Sequence, residues 1–256
     1  MTKAIFFDID GTLVSFKTHK VPQSTIDALD TLRKNGIKVF VASGRHKLSI
    51  NNLGDLQFDG YVTLNGSIAL INNQVIYKHC IPDKDIDALT EYLETKESFP
   101  CVYVQENDLY MNYHNKTTRD IFKLLNFPEP PMRPLTERNG SVFQVIAFFE
   151  KEQEEHIMKL LPDCDETRWN PLFTDIVPKG SSKWIGISKV LEHFDIKQDE
   201  TIAFGDGGND IEMLKTAHVG IAMGNANNDV KQAADYVTDS VDDNGIANAL
   251  KHFGLI

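Results

Sequence analysis

The sequence predicts an α/β protein: a parallel sheet covered by helices on both faces, assembled from both ends of the chain and interrupted by an α+β cap. Three observations carry that prediction. Near the N-terminus, the apolar runs AIFF (4–7) and IKVFVA (37–42) flank a helical pattern, and strands apolar on both faces belong to parallel sheets sandwiched between helices. The same alternation returns with TIAF (201–204), GIAM (220–223) and YV (236–237). Between the two blocks, over residues 82–182, hairpin-like strands mix with helices, the pattern of an α+β arrangement. A chain of 256 residues is long enough for a core and a second, smaller domain.

Taken in order, AIFF is followed by a helix expected from Ser24 to Asn35, with Ser24 as N-cap, Gly36 just past its end, and Ile26, Leu29 and Leu32 on one face. After IKVFVA comes YVTL (61–64) with an Asn-Gly step, then IALI and VIY flanking NNQ as a hairpin. The insert reads as a helix (83–96), strands near 101–105 and 108–114, a helix (117–125), the loop PEPPMRP, a strand (141–149), a charged helix (151–161) and an extended stretch (172–177). The amphipathic WIGISKVLEHF follows KGSSK (179–183), and the last helices start near Asp210, Asn228 and Asp242. The expected division is a discontinuous core of 1–81 and 183–256 with 82–182 as the cap.

A net charge of −11 argues against nucleic acid as a partner. It does not argue against a small phosphorylated ligand, provided that a metal ion, a few basic side chains and backbone amides reverse the sign locally. The longest apolar runs fall far short of the ~18 residues of a membrane span, so no membrane is expected. Cys80, Cys101 and Cys164 form no CxxC pair and read as free thiols in a reducing cytoplasm. The N-x-S/T sequons at Asn65, Asn115 and Asn139 read as chance, and the eight histidines show no metal spacing. A monomer or weak oligomer is expected.

Three predicted core strands run directly into polar clusters: AIFF into DIDGTL (Asp8, Asp10, Gly11), IKVFVA into Ser43, Gly44 and Arg45, and TIAF into GDGGND (Asp206, Asn209, Asp210). Ligands of open α/β sheets bind beyond the carboxyl ends of the strands, so adjacent strands would unite these clusters. Lys183 falls in the first turn of a helix, where the dipole disfavours a cation unless an anion is near. A carboxylate is ionised at neutral pH and its phosphoryl adduct is open to water, which suits Asp8 to attack phosphorus. Repulsion between that anion and a phosphate is ~4 kcal/mol per charge pair at about 4 Å. A divalent cation is therefore expected, and oxygen ligands from Asp8, the Asp10 backbone carbonyl and Asp206 suit Mg²⁺, with Asp210 holding a water. Asp10, on the same side as Asp8 if the strand continues, could protonate the leaving oxygen. Gly11 and Gly44 let amides approach phosphate, with Ser43 and Lys183 as further donors.

In that order, DIDGTL, SGR, the lysine of KGSSK and GDGGND resemble the four motifs of the haloacid dehalogenase-like superfamily, in particular its Cof-type sugar phosphatase branch. The long insert, NGS at 65–67 and the tail GDGGNDIEMLKTAHVGIAMGNANNDVKQAADYVT extend the resemblance over essentially the whole chain. It implies a Rossmann-like core and Mg²⁺-dependent hydrolysis of small phosphorylated metabolites, hexose or pentose phosphates among them, through an aspartyl-phosphate. It further implies Asp8 as nucleophile, Asp10 as general acid/base, Ser43 and Lys183 as phosphate ligands, Asp206 as metal ligand, and Asn209 and Asp210 orienting phosphate and metal. Trp184 departs from the glycine usual after the lysine. Two alternatives share the motifs: a phosphomutase returning the phosphoryl group to a sugar, and a non-catalytic phosphometabolite sensor.

Blander readings stand beside these. Arg45 fits an ion pair on the core surface as well as a substrate contact, and Asn65 before Gly66 fits a turn. KEQEEH (151–156) fits a solvated helix face. In the cap, Arg168, Trp169, Phe173 and Asp175 could line a sugar pocket, although Trp and Phe are more often core. Because the cap leaves after the strand supplying SGR and returns before Lys183, it is expected to close as a lid and favour small leaving groups.

Overall fold

The run AIFF forms β1 (Ala4–Phe7), whose four residues are all fully buried, as required of a strand covered on both faces. The computed structural model describes residues 1–125 and 127–256, Trp169 by its backbone only. After β1 come α1 (Gln23–Lys34), β2 (Lys38–Ala42), β3 (Gly60–Thr63), β4 (Ile68–Ile71) and β5 (Gln74–Lys78). Asn72 and Asn73 take left-handed conformations (φ 50° and 61°) that fit the tight β4–β5 turn. The middle of the chain supplies α2 (Asp83–Thr95), β6 (Cys101–Gln105), β7 (Leu109–Met111), α3 (Lys116–Leu124), β8 (Val142–Ala147), α4 (Glu154–Met158), β9 (Cys164–Asn170) and β10 (Phe173–Pro178). The last third adds α5 (Lys183–Phe194), β11 (Thr201–Gly205), α6 (Ile211–Thr216), β12 (Val219–Ala222), α7 (Asn228–Ala233), β13 (Tyr236–Val237) and α8 (Gly245–His252).

Two compact units result, one of Met1–Tyr77 with Ser182–Ile256, the other of Lys78–Ser181. The first holds an eight-stranded sheet ordered β13-β12-β11-β1-β2-β3-β4-β5, parallel from β13 to β3, with β4 antiparallel to β3. Alternate side chains serve opposite faces. Ile5, Phe7, Val39, Val41, Ile202 and Phe204 pack with Leu29, Leu32, Ile246 and Leu250. Ala4, Phe6, Phe40 and Ala203 pack with Ile187, Val190, Met213 and Leu214. Phe6 stacks on Phe40 at 4.8 Å and Phe7 on Phe204 at 5.0 Å, and burial of each ring contributes ~1.5–3 kcal/mol.

The second unit is a five-stranded antiparallel sheet ordered β7-β6-β8-β10-β9. One face packs Cys101, Tyr103, Val145 and Ile176 against Ile86, Leu89, Leu93 and Ile157. All three cysteines are free thiols. Among the described residues no helix is long and apolar enough to cross a membrane.

Several details differ from the sequence expectation. The first helix starts at Gln23 with Pro22 at the cap position, so Ser24 lies inside the first turn and caps nothing. Proline presets the backbone angle that a helix entry needs. The charged helix of 151–161 is shorter, a 3₁₀ turn at Lys151–Gln153 leading into α4. The strand β9 was not foreseen at all. Trp184 packs partly buried on the core, and close helix–sheet approach falls two residues later, at Gly186, where a Cβ would sit 2.4 Å from Val62 Cγ1.

Candidate active site

β1 lies between β2 and β11 with Phe7 beside Val41 and Phe204, so the polar residues that follow each strand leave the sheet at one edge. The Asp8 amide donates to the Phe204 carbonyl at 3.0 Å, continuing the ladder into the motif, and the Ser43 amide donates to Val62 at 2.9 Å. α5 delivers the lysine. The Ser182 hydroxyl caps this helix by accepting from the Ile185 amide, and Lys183 is its first residue. The Lys183 side chain is fully buried, with Nζ 2.6 Å from Asp8 Oδ1 and 2.6 Å from Asp210 Oδ1. These two carboxylates supply the anion that a cation at a helix N-terminus requires.

Asp210 is completely buried, and its second oxygen accepts from the amides of Asp206 (3.0 Å) and Gly207 (2.8 Å). It thereby folds the GDGGND loop around itself. Asp206 accepts from the Thr12 hydroxyl on Oδ1 (2.9 Å) and the Asn225 amide on Oδ2 (3.1 Å). It sits against Gly11, where φ is +87° and a Cβ would lie 2.1 Å from Asp206 Oδ2, so only glycine fits. One oxygen each of Asp8, Asp206 and Asp210 lies within 4.8 Å of the others.

Burial, with Asp210 and Asp10 adding to it, pushes the Asp8 carboxyl up to about 7 against the opposing pull of Lys183. Burial and the neighbouring Asp8 and Asp210 hold Asp206 well above the usual carboxylate range. Burial opposes the Lys183 charge, but Asp210 and Asp8 outweigh it and hold the ammonium above the usual lysine range. Burial and the crowding of like charge thus raise the proton affinity of both acids, while Lys183 partly offsets this at Asp8.

Asp10 does not continue the line of the strand. β1 ends at Phe7 and the chain turns, placing the Asp10 carboxylate in the fork of Arg45: Nε to Oδ2 at 2.6 Å and Nη2 to Oδ1 at 2.5 Å. Arg45 Nη1 also donates to the Ser49 carbonyl at 3.0 Å, and its side chain is only 4 % exposed. Of the two readings the sequence leaves open for Arg45, the ion pair is present, bidentate and part-buried. The Ser43 hydroxyl accepts from the Arg45 amide at 3.1 Å. Asn209 donates to Asn65 Oδ1 at 2.9 Å, and the Asn65 amide group packs against Gly44. Asn65 does occupy a left-handed turn (φ 51°), yet its buried side chain belongs to this cluster. Thr12 and Asn225 escaped sequence reading; both lie within a few residues of the carboxyl end of a core strand, the one positional signal that could have found them.

In the second unit, Arg168 donates to Glu154 (2.6 Å) and to the carbonyls of Pro171 and Phe149, which makes it a framework residue. Phe173 packs on Phe148 at 5.5 Å. Asp175 is buried in the row Val102–Ile146–Asp175, on the sheet face opposite the one that packs α2. The Trp169 side chain lies outside the described residues.

A doubly covered parallel sheet with an inserted unit, and an acid cluster at its strand ends braced by a buried lysine, defines a class of phosphoryl-transfer hydrolases. The family model of haloacid dehalogenase-like hydrolases matches residues 5–250, and the chain belongs to that family; it is an enzyme, a phosphoric monoester hydrolase. The structure of BT4131, described as a sugar phosphatase of haloacid dehalogenase subclass IIB, is 45% identical with a TM-score of 0.94, both chains covered in full. BT1666 from Bacteroides thetaiotaomicron, described among the phosphatases of the superfamily, is 39% identical with a TM-score of 0.91, covering 100% of this chain and 96% of its own. YkrA of Bacillus subtilis (strain 168), whose name assigns it provisionally to the phosphatases, is 36% identical over 259 residues, covering 100% of this chain and 99% of its own.

Proposed function

We propose that the protein is a Mg²⁺-dependent phosphatase of small phosphorylated metabolites, with hexose and pentose phosphates as its substrate class, working through an aspartyl-phosphate on Asp8. The observation that carries this reading is the buried Asp8 carboxylate at the end of β1, braced by Lys183 and facing Asp206. The donor set fits a divalent cation. Among the described residues, four carboxylates, Asp8, Asp10, Asp206 and Asp210, meet Lys183 and Arg45 as cationic partners in the cluster, and the converging donors are the hard oxygens that Mg²⁺ takes. Asp8, Asp206 and the Asp10 backbone carbonyl would hold the ion, with Asp210 behind them, and bound Mg²⁺ would supply positive charge against the phosphate and lower the proton affinity of the buried acids.

In the first step an Asp8 oxygen bonds to phosphorus as the ester P–O bond breaks, and the leaving oxygen takes a proton from Asp10. In the second, water attacks the acyl phosphate, Asp10 takes its proton, and inorganic phosphate leaves with Asp8 restored. Lys183, the Ser43 hydroxyl and the Gly44 amide supply donors to the phosphate, and Asn209 orients it. The inserted unit acts as the cap that selects the leaving group. Sugar phosphates are favoured because the 45%-identical structural relative is described as a sugar phosphatase. The protein is expected to act in the cytoplasm as a monomer or weak oligomer.

The deciding experiment is phosphate release from a panel of hexose, pentose and other phosphoesters with Mg²⁺ and no bisphosphate. Release from several sugar phosphates, with trapping of phosphate on Asp8, is expected. Release that needs a bisphosphate activator would indicate a mutase, and a phosphopeptide preferred over every sugar phosphate would overturn the substrate class.

A further inference from the structure

Asn225 lies just past β12 and is exposed to solvent. An exposed asparagine ordinarily satisfies its amide with water. This one directs its amide group into three loops of the core. Nδ2 donates to the Gly11 carbonyl at 2.9 Å and to Asp206 Oδ2 at 3.1 Å, and Oδ1 accepts from the Val241 amide at 3.0 Å. Partner chemistry fixes the orientation: flipped, the amide would set its oxygen against two acceptor oxygens and its NH₂ against an N–H.

The contacts join the loop carrying Asp8 and Asp10 to the carboxylate of Asp206. The carboxylate occupies the space that a Cβ on Gly11 would take, and Thr12 already holds its other oxygen. With Oδ1 turned to Thr12 and Oδ2 to Asn225, the plane of the carboxylate is set from both sides. Partners of this kind determine how well a carboxylate ligates a metal. We propose that Asn225 is a positioning residue that orients Asp206 toward the divalent cation and ties it to the nucleophile loop. The inference rests on the metal reading of the preceding section and adds to it a residue outside the four motifs.

The test is direct Mg²⁺ binding by calorimetry, without substrate or turnover, to the full-length wild type, Asn225→Ala and Asn248→Ala. Asn248 is a matched control: it too is an exposed asparagine, and it bonds Asp239 and Asp243 in the same turn that Asn225 reaches, without touching Asp206. Asn225→Ala should raise the Mg²⁺ dissociation constant about tenfold, at the low end of the range for such partners, while Asn248→Ala leaves it unchanged. Wild-type affinity in Asn225→Ala, or an equal loss in Asn248→Ala, would overturn the proposal. Failure of the wild type itself to bind Mg²⁺ would instead overturn the metal reading, and this inference with it. Should Asn225→Ala not fold, ¹⁵N spectra of the wild type decide the matter: on Mg²⁺ titration the Asn225 side-chain amide should shift and that of Asn248 should not. An unmoved Asn225 amide would refute the assignment.

Discussion

The two units spend their charged residues differently. In the first, the ion pairs and hydrogen bonds that matter bridge distant segments: Lys183 to Asp8 and Asp210, Arg45 to Asp10, Thr12 and Asn225 to Asp206. The Lys183 pairs are fully buried, and the Arg45 and Thr12 contacts part-buried, beyond the carboxyl ends of the strands. In the second, pairs such as Lys116–Asp120 and Lys159–Glu155 join neighbouring turns in open solvent, while Arg138 to Asp83 and Asp87 and Arg168 to Glu154 tie together segments of the unit's own framework. Buried charge is expensive to retain, and the first unit retains it where the chemistry is proposed. The second unit also buries two acids, Asp85 and Asp175, but Asp85 serves its own framework there, accepting from the Asp163 amide at 2.9 Å.

The contrast can be broken most severely at Asp8. Asp8→Asn should reduce phosphate release by several orders of magnitude while circular dichroism shows an intact fold, because the amide keeps the shape and loses the nucleophile; substantial residual turnover would remove the covalent route. Lys183→Met comes next. Deleting one partner of a buried pair costs ~3–5 kcal/mol, so urea unfolding should show a loss of that order along with lost activity, and a neutral result would mean the lysine is not integral to the fold.

Arg45→Ala should sharpen the comparison by showing that Arg45 places Asp10. Turnover of alkyl phosphates should fall ~10²-fold or more, and that of aryl phosphates, which leave without a proton, distinctly less. An equal loss on both, with raised KM, would make Arg45 a substrate contact.

A smaller effect concerns pH. In the metal-free protein Asp8 and Asp206 bind protons that the unfolded chain releases above about pH 4, since burial raises both in the native state. The native state therefore holds more protons, and stability should fall as pH climbs from about 4 to about 7. Thermal midpoints in chelator should show this slope, Asp8→Asn should flatten it, and Mg²⁺ at neutral pH should reverse it. Smallest of all, Lys116→Ala should leave the unfolding midpoint unchanged within error, the pair being solvent-exposed; a clear drop would mean that surface charge in the second unit matters more than its exposure implies.

The core was readable because its strands are short apolar runs that stop at polar clusters: β1, β2 and β11 sit within a residue of their expected places. β9 was not, because CDETRWN carries charge on both faces and so lacks the apolar/polar alternation that marks a half-buried strand; it pairs with β10 at the edge of its sheet. The residues that could carry the chemistry were legible as types at strand ends, and Asp8, Lys183, Asp206 and Asp210 do converge. What the linear text hides is pairing. Asp10 and Arg45 stand 35 positions apart and Asn225 and Asp206 stand 19 apart, and an asparagine after a strand reads as a turn until its partners are seen.

The order of strands in the first sheet also has a temporal side. β1 sits beside β11, so the ribosome makes Asp8 long before it makes Asp206. At 5–20 residues per second, about 10–40 s separate them. During that interval Ile5 and Phe7 lack the Phe204 face they finally pack on, whereas Lys78–Ser181 has been made whole and is a compact unit by its own contacts. The unit inserted in the middle can therefore mature first, while the N-terminal strands wait for β11. No complete acid cluster can assemble before Asp206 and Asp210, about four-fifths of the way along the chain, have emerged.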